Sequence, residues 1–133
     1  MSIGELAGRA NVHLETIRYY ERAGVMPEPP RLPSGHRTFD QSALGRLRFI
    51  KRAQELGYSL AEIREILRLR AHPEQRCGDV CRQARQKLKE VNEKIRRLRS
   101  IKRALTRMTS ACSGDRRIRD CGILELLDRE TKS

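Results

Sequence analysis

Apolar positions recur every three or four residues through most of the chain, and the breaks between those runs outline a series of helices. Ile3, Leu6, Ala7 and Ala10 share one face of a first helix, with Ser2 as N-cap and Glu5 in the capping-box position. Asn11-Val12-His13 interrupts the period. It resumes from Leu14 to Ala23 with Ile17 facing in, and Gly24 is the expected stop. Two short helices about a tight turn are the outline of a helix-turn-helix. Pro27, Pro29, Pro30 and Pro33, four of the five prolines, exclude a helix next. With a turn at Ser34-Gly35, that stretch predicts a small β-ribbon, a wing flanked by Arg31 and Arg37.

Beyond the wing the helical period returns. Asp40 caps a helix to about Leu56, with Leu44, Leu47, Ile50, Ala53 and Gln54 on its buried side and Arg46, Arg48, Lys51 and Arg52 pointing outward. Gly57 ends it. Ser59 and Glu62 make a second capping box ahead of Leu60, Ile63, Ile66 and Leu67. Pro73 and Gly78 break the pattern. Asp79 to Met108 then reads as one helix about 45 Å long. Its seam runs Cys81, Ala84, Leu88, Val91, Ile95 and Leu98, stutters, and continues through Leu105 to Met108. Alternating steps of three and four are the repeat of a coiled coil, and so narrow a stripe needs a partner helix. The fold class expected is mainly α. A winged helix-turn-helix domain (residues 1–70) leads through a hinge (71–80) to a dimerisation helix (81–110). A loop and short C-terminal helix follow (111–133).

Charge changes this picture in one respect. The 133-residue chain has 29 Lys and Arg against 17 Asp and Glu, a net +12 that suits a polyanionic partner. Residues 1–70 carry only 12 basic and 8 acidic groups, whereas residues 82–107 carry 11 and 2. The excess therefore crowds the long helix, where it makes close parallel pairing of a homodimer costly; an antiparallel arrangement, or neighbouring acids from elsewhere, would relieve it. Thr16, Arg18, Tyr19 and Arg22 on the second helix are groups able to reach phosphates and base edges of double-stranded DNA. No apolar run approaches the ~20 residues that span a membrane. The opening MSIGELAGRA lacks a basic segment followed by an apolar one, so a cytoplasmic location is expected, where stable disulfides are rare.

That location turns attention to the four cysteines. Cys77 precedes the long helix, Cys112 follows it, and Cys121 closes a polar loop beyond. About 35 helical residues put Cys77 and Cys112 roughly 50 Å apart within one chain. In an antiparallel dimer the start of one helix lies beside the end of the other. Two equivalent sites follow, each with Cys77 from one chain and Cys112 and Cys121 from its partner. Three thiolates without a nearby His suit soft ions: Hg(II) first, then Pb(II), with Zn(II) needing a fourth donor. Cys81 carries two readings, a small seam residue or a fourth or transfer ligand sharing a helical face with Cys77. A rival reading makes Cys112 and Cys121 a redox-switched pair, which leaves Cys77 unexplained. No His or carboxylate is placed to activate a thiol, so an enzyme is not expected.

The stretches IGELAGRANVHLETIRYYERAGVMPEP and GHRTFDQSALGRLRFIKRAQELGYSLAEIREIL resemble the MerR family of bacterial transcription regulators, TIRYYER most specifically. The resemblance covers nearly the whole chain. It implies a winged-helix DNA-binding domain and an antiparallel coiled-coil dimer. It also implies activation by distortion of promoter DNA, which realigns the elements read by RNA polymerase. By the same likeness Arg18, Tyr19 and Arg37 contact DNA and Tyr20 contacts its backbone. At the wing the family's Gly-Tyr-Arg-Arg-Tyr stands as Gly35-His36-Arg37-Thr38-Phe39. Cys77, Cys112 and Cys121 match the metal-binding cysteines of the mercury-responsive branch, while CGILELL is closer to lead, cadmium and zinc members. The ions implied are Hg2+ first, then Pb2+, Cd2+ or Zn2+.

Overall fold

A computed structural model describes residues 1–29, 32–35 and 38–129. Its elements are α1 (Ile3–Ala10), α2 (Leu14–Arg22), α3 (Gln41–Glu55), α4 (Leu60–Arg70), α5 (Gly78–Ser110) and α6 (Gly122–Asp128), with a 3-10 turn at Ile118–Asp120. Two compact units divide the chain, Met1–Lys87 and Leu88–Ser133. Among the described residues no helix is long and apolar enough to cross a membrane.

The helix boundaries follow from caps. Ser2 Oγ accepts the Glu5 N–H at 3.1 Å, and Asp40 accepts the Ala43 N–H at 3.0 Å. Asn11 ends α1 in the left-handed conformation, which asparagine tolerates better than most residues. Gly24, at φ +78°, turns the chain after α2, where a Cβ would meet the Arg64 guanidinium. At α4 the capping box is reciprocal: Ser59 Oγ accepts the Glu62 N–H at 3.1 Å and Glu62 Oε1 accepts the Ser59 N–H at 2.8 Å.

Glu62 also accepts from Lys87 Nζ at 2.9 Å, tying the third turn of α5 to the start of α4. The Ser59 N–H first, and Lys87 second, hold its carboxyl below the ordinary carboxylate range. A depressed carboxyl stabilises the fold fully above its unfolded pKa, about 4.3, and loses that contribution as pH falls through the lower folded value. Urea midpoints measured from neutral to strongly acid pH should therefore fall more steeply for the native chain than for Glu62→Gln. Ser59→Ala should cost about 1 kcal/mol at neutral pH.

The core of the first unit gathers Leu6, Ala7 and Ala10 of α1, Ile17 and Tyr20 of α2, Leu44, Leu47, Ile50 and Ala53 of α3, and Ile63 and Leu67 of α4. Val25, Met26 and Phe39 close it. Gln54, expected on the buried side of α3, is exposed, although its Oε1 accepts the Tyr20 hydroxyl.

The expected β-ribbon does not form among the described residues. Prolines contribute no N–H to a ladder, and the N–H of Phe39 donates to the Met1 carbonyl at 2.7 Å instead of to the outgoing leg. What remains of the wing is a tight turn, with Gly35 N–H donating to Leu32 O at 2.8 Å and Gly35 at φ +87°. His36 and Arg37 lie outside the described residues.

Helix α5 starts one residue before and ends two residues after its expected limits. None of its residues is buried. Leu88, Val91, Ile95, Leu98, Ile101 and Leu105 all stand exposed along it, from 37% to 62%.

Candidate functional site

Successive residues on a helix point about 100° apart, and α2 uses that to separate two adjacent tyrosines. Tyr19 is 52% exposed, beside exposed Arg18 and half-buried Thr16. Arg18 Nη1 donates to Glu15 Oε1 at 3.2 Å, an exposed pair that adds little stability but holds the guanidinium on the outer face. Tyr20, expected as a DNA-backbone contact, is 4% exposed and belongs to the core. It lies three residues from Ile17 on the inward face, and its hydroxyl donates to Gln54. Burial first, and neighbouring Tyr19 second, raise that hydroxyl above the ordinary tyrosine range, so it stays a donor.

The outer face is held in place by cations from behind. Lys51 Nζ donates to Ala10 O at 3.3 Å and Asn11 O at 3.1 Å, where α1 turns into α2. Arg46 Nε donates to Val25 O at 2.7 Å, and Arg64 Nη2 to Ala23 O at 2.5 Å, at the far end of α2. Arg48 reaches Arg9 O at 3.4 Å. Arg46, Arg48 and Lys51 were expected to point outward. Arg48 does stay exposed, whereas Arg46 and Lys51 are half-buried; all three donate to backbone carbonyls, those of Arg9, Ala10 and Asn11 lying at the end of α1. No signal in the sequence distinguishes them from solvated Arg52.

The thiols are all free. Cys77 stands immediately before α5 and is exposed, while Cys81 in its first turn is half-buried. Their sulfurs are 3.8 Å apart. At the other end of α5, Cys112 N–H donates to Thr109 O as the helix closes. Cys121 is the residue before α6. A Cβ on Gly122 would lie 2.8 Å from the Ala111 carbonyl oxygen, so only glycine lets the loop return this closely to the end of α5. The residues flanking that contact are Cys112 and Cys121. Among the described residues, no three His, Cys, Asp or Glu side chains of one chain converge as a metal site.

A model for MerR HTH family regulatory proteins matches residues 1–69, and one described as MerR, DNA binding, matches residues 44–108. The chain belongs to the MerR family. The mercuric resistance operon regulatory protein of Bacillus cereus is 42% identical over 125 residues, covering 94% of this chain and 95% of that protein. Among solved structures, the transcription regulator PbrR691 of Ralstonia metallidurans CH34 in complex with lead(II) superposes with a TM-score of 0.84. It is 38% identical, over 96% of this chain and 98% of that one. MerR of Bacillus megaterium MB1 in complex with mercury(II) gives a TM-score of 0.72 at 37% identity, over 97% of this chain and all of that one.

The family assigns this chain a helix-turn-helix DNA-binding domain and a long C-terminal helix, which are α1–α2 with their supports and α5. These MerR-family relatives are transcription regulators, not enzymes. One feature of this MerR-family chain escaped the sequence, the carbonyl-binding cations. The contact of Cys77 with Cys81 did have a signal, their i, i+4 spacing.

Proposed function

We propose that this MerR-family protein is a homodimeric, cytoplasmic transcriptional regulator that responds to a thiophilic divalent ion. The observation that carries the reading is the placement of free thiols at both ends of one unbroken helix, with an exposed apolar stripe between them. Thirty-three helical residues span about 50 Å, so Cys77 meets Cys112 and Cys121 only across two antiparallel copies. The stripe from Leu88 to Leu105 supplies the seam, and antiparallel pairing spreads the +9 of residues 82–107.

The donor set fits such an ion. Cys77 of one protomer and Cys112 and Cys121 of the other would offer three thiolates, soft ligands that select soft cations. Three sulfurs by themselves suit Hg(II) first and Pb(II) next, whereas Cd(II) and Zn(II) call for another donor. The mercury(II) and lead(II) complexes of the similar proteins support that range. The bound ion would join the first turn of α5 to the partner's C-terminal loop. That first turn and Lys87, about two turns further along α5, belong to the same compact unit as α1–α4, and Lys87 is tied to Glu62 of α4. Ion capture therefore bears on the two DNA-reading helices, which would bend and untwist promoter DNA and realign its elements for RNA polymerase.

The reduced protein titrated with Hg(II), Pb(II), Cd(II), Zn(II) and Cu(I) under thiol competition tests the proposal through the sulfur-to-metal charge-transfer band. A response to none of these ions, or to Cu(I) alone, would overturn it. On the DNA side, Thr16, Arg18, Tyr19 and Arg37 are the proposed contacts. Arg18→Ala should weaken operator binding by about 1–3 kcal/mol and lower the salt dependence. Tyr20→Phe should leave operator affinity within about twofold while costing about 1 kcal/mol of stability, since its hydroxyl serves Gln54. Fluorescence anisotropy and urea unfolding separate the two effects.

A further inference from the structure

Cys81 is the thiol whose position the three-sulfur reading leaves unused. Its backbone N–H donates to the Cys77 carbonyl at 2.9 Å, the bond that opens α5. That bond sets the two residues one helical turn apart on a shared face. Their sulfurs then approach to 3.8 Å. A disulfide needs about 2.05 Å, so this is a contact between two unbonded thiols. One residue beyond Cys81, Arg82 Nη2 donates to Asp79 Oδ1 at 2.5 Å.

The separation has a geometric meaning. With a metal–sulfur bond of about 2.3 Å, two sulfurs on adjacent corners of a tetrahedron are about 3.8 Å apart. At that zinc–sulfur length the span is about 4.0 Å in a trigonal plane and about 4.6 Å in a line, so the separation lets both sulfurs hold one ion in either of the first two geometries, and the count of four sulfurs is what calls for a tetrahedron. We propose that Cys77 and Cys81 chelate the sensed ion together as two corners of a tetrahedral four-sulfur site, completed by Cys112 and Cys121 of the partner subunit. This rests on the interchain site proposed above and deepens it. The fourth sulfur supplies the donor that Cd(II) and Zn(II) need, and it moves the preferred ion from Hg(II) toward those two. Cys81 is thus a ligand and a determinant of metal selectivity, not a packing residue of the seam. On binding, each of the four S–H groups gives up its proton and one divalent ion is taken up, with no change of oxidation state.

The test uses the full-length reduced dimer and Cd(II) alone. Cd X-ray absorption at saturating Cd(II) should count four sulfurs in the native protein and three in Cys81→Ser, with Cd(II) affinity falling by more than about 100-fold. Cys81→Ala should behave alike, with retained helical circular dichroism as the folding control. Hg(II) affinity should fall less than Cd(II) affinity. A sulfur count and Cd(II) affinity unchanged in Cys81→Ser would overturn the proposal. Cys112→Ser separates the two readings. If it destroys the site while Cys81→Ser does not, only the role of Cys81 fails. If neither variant matters, the interchain site fails with it.

Discussion

Cys112→Ser is expected to lower the affinity of the reduced dimer for Cd(II) or Hg(II) by more than about 100-fold. Loss of an outer-shell partner alone costs a metal site 10- to 100-fold, and loss of a directly bound thiolate costs more. The charge-transfer band should vanish at stoichiometric metal, as it should for Cys77→Ser and Cys121→Ser. A sharper result comes from mixing. Cys77→Ser and Cys112→Ser homodimers should each bind no metal tightly. After subunit exchange, half of the sites in the mixed dimer have both changes and half have neither. One intact site per heterodimer should return. Sulfurs drawn from a single chain would return none, so recovery of the band distinguishes an interchain site from an intrachain one. The prediction follows from the length of α5 and the placement of its thiols.

Leu47→Ala is the second large effect. Leu47 is fully buried in the middle of α3, the helix that packs on both α1 and α4. Removing its side chain leaves a cavity between three helices, at a cost of about 2–5 kcal/mol. Domains have about 5–15 kcal/mol in all, so the first unfolding transition should move to much lower urea. Operator binding should weaken with it, because α3 packs on α1 and its side chains hold both ends of α2. Leu56→Ala is the comparison. Leu56 follows α3 and is 63% exposed, so its loss should stay within about 0.5 kcal/mol. Equal midpoints for the two variants would contradict the core described for this unit.

Much of the site was legible before any coordinates. Arg18 and Tyr19 fall on the outer face of α2 because the apolar period places Ile17 inward. Cys77 and Cys112 fall at the ends of α5 because helical spacing, with one stutter, runs between them. The cations of α3 were not legible. An Arg or Lys on the polar side of a helix reads the same whether it meets water or a carbonyl forty residues away in sequence. Arg46 and Lys51 acquire their partners only once α1 and α2 are laid across α3. The β-ribbon is missing among the described residues for a related reason: the N–H of Phe39 has an acceptor at Met1, which no local pattern announces.

The amino-acid order by itself determined the helices, their caps, the family and the ends of α5 at which the thiols lie. All of these are set by neighbours within about one helical turn, where spacing and side-chain chemistry suffice. Only the tertiary structure decided that Tyr20 turns into the core beside exposed Tyr19, that three outward-facing cations bind backbone carbonyls, and that the sulfur of Cys81 rests 3.8 Å from that of Cys77. Those outcomes depend on rotamers and on distances between elements remote in the chain. Long side chains settle such matters by reaching whichever unsatisfied group the packing brings within hydrogen-bond range.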